Sequence, residues 1–181
     1  MLRFHRQNGF VILIVLVFMQ ILILLNWYVI NNVLLLTRFS KNMAVHDLLY
    51  HQAKCVLTRV EAEVVSNLPD CLISFTDTDL LIAQPLTWWK AQSCSGNSQT
   101  FKYYYVVEPL AVDSCAIVDP VKKTIASWFR LTLFLYLNKG NARIFLQSTL
   151  VRPSTGGAEQ PCTGSHHTVQ VGRQSSRELD Y

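Results

Sequence analysis

The sequence predicts an α+β chain: one long N-terminal helix whose first half is membrane-embedded and whose second half is amphipathic, packed on a small antiparallel sheet. Three observations carry this. No charged side chain occurs in the 31 residues from Gln7 to Thr37. Neither glycine nor proline, the residues that most often stop a helix, occurs between Gly9 and Pro69. Beyond Pro69 the apolar pattern changes to the period of two expected of strands.

The uncharged run, as a helix rising about 1.5 Å per residue, exceeds the roughly 30 Å hydrocarbon core of a bilayer. It is about twice as long as the apolar core of a secretory signal peptide and ends in no A-x-A pattern, so it reads as an anchor that stays. Arg3, His5 and Arg6 before it and Arg38 and Lys41 after it give only a slight positive-inside bias. Gln20 and Asn26 within it are either hydrogen-bonding positions between helices or polar residues that lipid tolerates. Trp27 and Tyr28 mark an interface belt or lie deeper in a helical bundle.

From residue 37 to 66 the helix becomes amphipathic. Val45, Leu48, Leu49, Val56, Leu57, Val60 and Val64 recur at steps of three and four, whereas Arg38, Lys41, Asp47, Lys54, Arg59, Glu61 and Glu63 mostly lie elsewhere. The stripe predicts packing on a globular partner surface. Pro69 disfavours a helical Leu68, which places the helix end near Ser66.

In the second half CLISF (71–75), DLLIA (79–83), FKYYYVVEPL (101–110) and CAIV (115–118) are candidate strands. The clearest unit is a hairpin, SWFRLTLFLYL–NKGN–ARIFLQSTLVR. It sets Leu131, Leu133, Leu135 and Leu137 on one face and Arg130, Thr132, Phe134 and Tyr136 on the other. The tail 153–181 has few large apolar residues and reads as disordered, tied down by Cys162 if by anything.

A net charge of +4 is too mild for a nucleic-acid partner, and the single lysine in TFKYYYV makes no phosphate-tracking groove. None of the five cysteines shows CxxC spacing, which points to two disulfides in an oxidising compartment with one thiol left over. Cys55, Cys71, Cys94 and Cys115 are the candidate disulfide residues, and their connectivity stays open. The cysteines favour a position outside the cytoplasm for the bulk of the chain.

His51 and Cys55 lie four apart on the helix, near His46, but two ligands make no metal site, and a disulfide for Cys55 with a solvated His51 is the favoured reading. Cys162 with His166 and His167 sits in a tail that preorganises nothing. SCSG, DSCA and GSHH match no hydrolase elbow or cysteine-protease signature, so the sequence reads as that of a non-enzyme without metal or cofactor. Trp88 and Trp89 are core aromatics, or an exposed binding patch.

Taken in order, RQNGF, the apolar helix that becomes amphipathic and the antiparallel sheet resemble the type IV pilins. The stretches RQNGFVILIVLVF, YYVVEP and FRLTLFLYLNKGNARIFLQSTLVR, together covering parts of residues 1–152, are most similar to the minor pilins of the PilX type. The resemblance implies a leader, 1–9, cut by the prepilin peptidase after Gly9, and an N-methylated Phe10 as the first mature residue. It implies an assembly helix over 10–36 and a periplasmic domain over 37–152. The cut removes Arg3 and Arg6, so 16 − 2 = 14 basic residues face 12 acidic ones.

Most pilins carry glutamate at the fifth mature position, where this chain has Ile14. The resemblance therefore implies a subunit without the acid that docks under a preceding subunit, as in the K-type pseudopilin of type II secretion. Such a subunit primes or caps the filament tip. Implied partners are other minor pilins, the major pilin, the peptidase, the inner-membrane assembly platform and a tip adhesin, first in the inner membrane and then at the cell surface. The alternative expectation is an uncleaved single-pass inner-membrane protein with a periplasmic binding domain in an envelope complex.

Overall fold

A computed structural model of the chain describes residues 8–74, 77–98, 100–119, 121, 124–137, 142–154, 162 and 164–179. Two compact units divide it, Met1–Val45 and His46–Tyr181.

Helix α1, Asn8–Ser66, runs 59 residues without a break. Its end at Ser66 follows from the sequence: Asn67 closes the last turn on the Glu63 carbonyl, and two residues later Pro69 has no N–H to continue. In the first unit the side chains from Val11 to Ala44 are exposed. The helix is long and apolar enough to cross a membrane.

In the second unit the lower part of α1 buries Leu49, Ala53, Val56, Leu57, Val60 and Val64, steps of three and four that form one stripe. Leu48, assigned to that stripe from its spacing, is 55% exposed, because one residue beside Leu49 it turns about 100° off the packed face. Glu61, read as solvent-facing, is buried and ion-paired.

The sheet has five strands along one path and a sixth on its edge. In chain order they are β1 Cys94–Asn97, β2 Phe101–Asp119, β3 Thr124–Leu137, β4 Arg143–Pro153, β5 His167–Thr168 and β6 Gly172–Leu179. The path is β1-β2-β3-β4-β6, all antiparallel, and β5 pairs parallel with β2 at Ala116 and Ile117.

The expected hairpin is β3–β4, in register with Leu133 opposite Leu146. Its connecting NKGN turn lies outside the described residues. FKYYYVVEPL and CAIV, read as two strands, are one strand, β2, bent by register shifts after Pro109 and Asp113. CLISF forms no strand among its described residues; Leu72 makes one parallel bridge to Val107.

DLLIA is not a strand. Its first four residues belong to helix α2, Thr78–Ile82, whose first turn is capped by the Asp77 carboxylate accepting from the Asp79 N–H at 2.9 Å. A five-residue apolar run has no periodicity of its own, and the cap decides it. Helix α3, Leu86–Gln92, follows Pro85.

The register assigns the two sheet faces. Tyr103, Tyr105 and Val107 lie opposite Leu135, Leu133 and Leu131 on the face that meets α1, where Arg59 Nη2 donates to Tyr103 Oη at 2.5 Å. Tyr104, Val106, Phe134 and Phe145 lie on the opposite face and are covered by Leu81 and Ile82 of α2 and Trp89 of α3. Trp89 is fully buried and packs on Phe134 and Phe145 at centroid distances of 5.4 and 5.9 Å, whereas Trp88 is half-buried. The sheet is thus the middle of three layers.

The tail departs most from its sequence reading. Residues 172–179 form a strand of the sheet, β6, although GRQSSREL has no apolar alternation. It is held by the β4 ladder, by the Glu61–Arg173 ion pair, by the His46–Glu178 hydrogen bond and by a disulfide upstream, none of which leaves a local signature. Residues 155–161, 163, 180 and 181 lie outside the described set.

Candidate functional site

Two surfaces could carry function: the exposed upper half of α1 and the polar elements that hold the sheet unit together. Gly9 and Phe10 fall in the first turn of α1, so the backbone at the expected scissile bond is helical. Ile14, one turn further, is 49% exposed and surrounded by exposed apolar neighbours. Asn26 turns its amide back on its own helix, Nδ2 donating to the Leu22 carbonyl at 2.9 Å, and Thr37 Oγ1 donates likewise to Val33 at 2.7 Å. These bonds lower the cost of placing the two residues in hydrocarbon.

The cysteines pair as Cys71–Cys94 and Cys115–Cys162. Cys55, a candidate for a bridge, is instead a free and exposed thiol on the side of α1 turned away from the sheet. Cys162 takes the fourth place. The first bridge ties the segment after α1 to strand β1, and the second anchors the tail ahead of β5 and β6.

His51 is exposed. His46 reaches the tail instead, with Nε2 at 2.9 Å from Glu178 Oε1. His167 Nε2 stands 3.7 Å from Asp113 Oδ2, while Asp113 Oδ1 accepts from the Cys115 and Ala116 N–H groups beside the disulfide. Among the described residues no group of three or more His, Cys, Asp or Glu is placed to hold a metal.

Two ion pairs deeper in the fold escaped the sequence reading. Arg173 of β6 donates through Nε to both oxygens of Glu61 at 2.8 Å, with Nη2 on Glu61 Oε2 and on Thr58 Oγ1 at 3.0 Å. Together with His46–Glu178 this fastens the tail strand to α1 at two points fifteen residues apart. On the opposite face Arg130 forks onto Glu108, its direct partner across β2 and β3, at 2.7 and 3.1 Å, and reaches Thr78 Oγ1 at 3.3 Å. Glu108 is 2% exposed, so its charge is compensated within the layer under α2.

Beside this pair, Gln147 donates to Thr132 Oγ1 at 3.2 Å and accepts from Arg177 Nε and Nη2 at 3.0 and 2.8 Å. The sequence reading places Arg130 on a strand face and assigns it no partner. Its partners are 22 and 52 residues away, and the tail arginines lie in a stretch without strand alternation.

Burial pushes the Tyr105 phenol above its ordinary pKa, and the nearby Glu63 carboxylate adds to the shift. Tyr104 is raised by burial and by its hydrogen bond with Tyr136.

No protein-family model matches the chain, and no curated protein or solved structure matches it.

Proposed function

We propose that the chain is a structural subunit of a type IV pilus, a minor pilin of the PilX type that primes or caps the filament tip. One observation supports the reading above the others. A single unbroken helix that includes Gly9 and Phe10 runs uncharged and exposed from Val11 to Thr37, and its lower part lays a stripe from Leu49 to Val64 on an antiparallel sheet. A plain anchor has no need to continue as one helix into the domain it carries, whereas a subunit that docks by helix packing does.

In this reading the apolar half joins a bundle of other pilin helices, first in the inner membrane and then in the fibre. Van der Waals packing, not hydrophobic transfer, drives that association in lipid. Ile14 leaves the subunit without a carboxylate to pair with a preceding ammonium, and avoids burying an unpaired charge at several kcal/mol. A neighbour's acid remains free to pair with the Phe10 ammonium. The sheet unit contacts the other minor pilins and presents a tip adhesin.

The test is peptide mass mapping of the protein made with and without a prepilin peptidase. The expected N-terminal peptide begins at methylated Phe10 with the peptidase and at Met1 without it, and Gly9→Leu keeps Met1 in both. Retention of Met1 by the unaltered chain in both samples overturns the proposal and leaves the uncleaved single-pass protein.

A further inference from the structure

Gln20 is the one polar residue between Val11 and Leu25, and its side chain is exposed. At about 1.5 Å per residue it lies roughly 6 Å from the middle of the uncharged run 11–37, well inside the hydrocarbon when α1 crosses a bilayer. An amide at that depth needs a partner, because lipid tails supply neither donor nor acceptor. Asn26 and Thr37 find theirs on their own helix, in the Leu22 and Val33 carbonyls. Gln20 finds none among the described residues.

The helix sets Gln20 in line with further side chains. Successive residues turn about 100°, so Trp27 and Asn31 stand within about 20° of Gln20, Arg38 falls on the same line, and Leu24 and Leu34 stand within about 40°. All of them are exposed. Positions 20, 24, 27, 31, 34 and 38 step alternately by four and three, the spacing of the seam along which two parallel helices wind left-handed round each other. Asn26 and Asn32 each stand about 120° from Gln20, on the two flanks.

Whatever covers this seam must present a polar group at the depth of Gln20. A second copy of the chain, inserted with the same orientation, places its own Gln20 and Asn31 opposite those of the first. A primary amide carries both donor hydrogens and an acceptor oxygen, so two facing glutamines satisfy each other. An apolar helix would leave both amides without partners, and a charged one is costly in hydrocarbon. The two Arg38 side chains lie past the uncharged run, where salt screens their repulsion.

We propose that α1 pairs in parallel with α1 of a second copy across the Gln20–Asn31 seam in the membrane. Leu24, Trp27 and Leu34 pack between the amides, and the Gln20 pair fixes the register, as a single buried polar position does in a coiled coil. The pairing rests on α1 spanning a membrane and on nothing specific to a pilus, so it stands whether or not the leader is cut.

The test is energy transfer between full chains labelled by maleimide at the free thiol of Cys55, half with a donor dye and half with an acceptor, in phosphatidylcholine vesicles at a series of protein-to-lipid ratios. Flotation with the vesicles checks insertion separately. Transfer that saturates with protein density and is linear in the acceptor fraction, as for a dimer, is expected. Gln20→Leu should weaken the association on the order of tenfold, the scale of one hydrogen bond between helices in lipid, and Gln20→Leu/Asn31→Leu should weaken it further. Both variants keep the helix apolar, so neither impairs insertion.

Asn26→Leu and Asn32→Leu remove the same kind of amide from the flanks and should leave the association unchanged. In a Cys55→Ser background, Leu24→Cys should cross-link between copies on oxidation, whereas Leu22→Cys, about 160° round from Gln20, should not. Transfer no higher than random proximity gives, full association in Gln20→Leu/Asn31→Leu, equal weakening by the flank substitutions, or cross-linking at Leu22 as fast as at Leu24 overturns the proposal. So does a chain that fails to float with the vesicles.

Discussion

Gly96 sits directly across the β1–β2 ladder from Tyr103, and the tyrosine ring and hydroxyl fill the space a side chain at 96 would need. The same hydroxyl accepts from Arg59 Nη2 at 2.5 Å, and the Arg59 guanidinium lies 5.7 Å from the ring centroid. A glycine on the short edge strand thus lets one aromatic side chain link β1, β2 and α1. Gly96→Ala is expected to displace the ring and cost about 1–3 kcal/mol, as overpacking does. Tyr103→Phe keeps the packing and should cost only about 1 kcal/mol. Chemical denaturation of the two variants checks the order; an alanine as stable as the native chain would contradict it.

The Arg173–Glu61 pair makes an asymmetric prediction. Glu61 is 6% exposed, so Arg173→Ala strands a buried carboxylate and should cost about 2–3 kcal/mol, the low side of the range for fully buried pairs because Arg173 is partly open to water. Removing both charges with Glu61→Gln/Arg173→Met should cost less than the single arginine change. A double-mutant cycle by urea denaturation reads the difference, and additive losses would mean the two side chains act independently.

The cysteine pairing separates one thiol from four. Cys55 is expected to take a single maleimide label per chain without reductant, and Cys55→Ser to abolish it; mass spectrometry counts the labels. Cys115 and Cys162 are 47 residues apart, so in the chain-entropy description their bridge stabilises by up to about 4 kcal/mol. Cys162→Ser should therefore lower Tm, and hydrogen exchange should quicken first in Gly172–Leu179. Unchanged protection of that strand would show that its ladder and ion pairs suffice.

The tyrosines set an alkaline limit. Tyr104 and Tyr105 have folded pKa values above their unfolded ones, so the fold favours the protonated phenols. That contribution is complete below an unfolded pKa of about 10 and is lost as pH rises through the raised folded values. Thermal unfolding followed from pH 8 upward should show a plateau and then a fall, and the fall should be shallower in Tyr104→Phe. An equal slope in both proteins would exclude Tyr104 as a source.

The helix from Asn8 to Ser66, the stripe that packs, and the register-forming hairpin around Leu133 and Leu146 were legible in the sequence because each is local. Missing glycines and prolines, steps of three and four, and alternation along a strand are properties of neighbouring residues. The end at Ser66 needs only Pro69. The membrane-length run and the Gly9, Phe10 and Ile14 order are likewise written in adjacent letters.

Only the tertiary structure decided what depends on distant partners. GRQSSREL became β6 because β4 offered an open edge and Glu61 and His46 lay within reach of its charges. DLLI became helix over the aromatic face because Asp77 capped it and Phe134, Phe145 and Trp89 supplied a surface to cover. Cys162 rather than Cys55 entered a disulfide because the bridge needs its Cα atoms close, here 4.9 Å, and the helix holds Cys55 on its outer side. Local pattern specifies which elements can form; pairing energies between residues remote in the chain select which ones do.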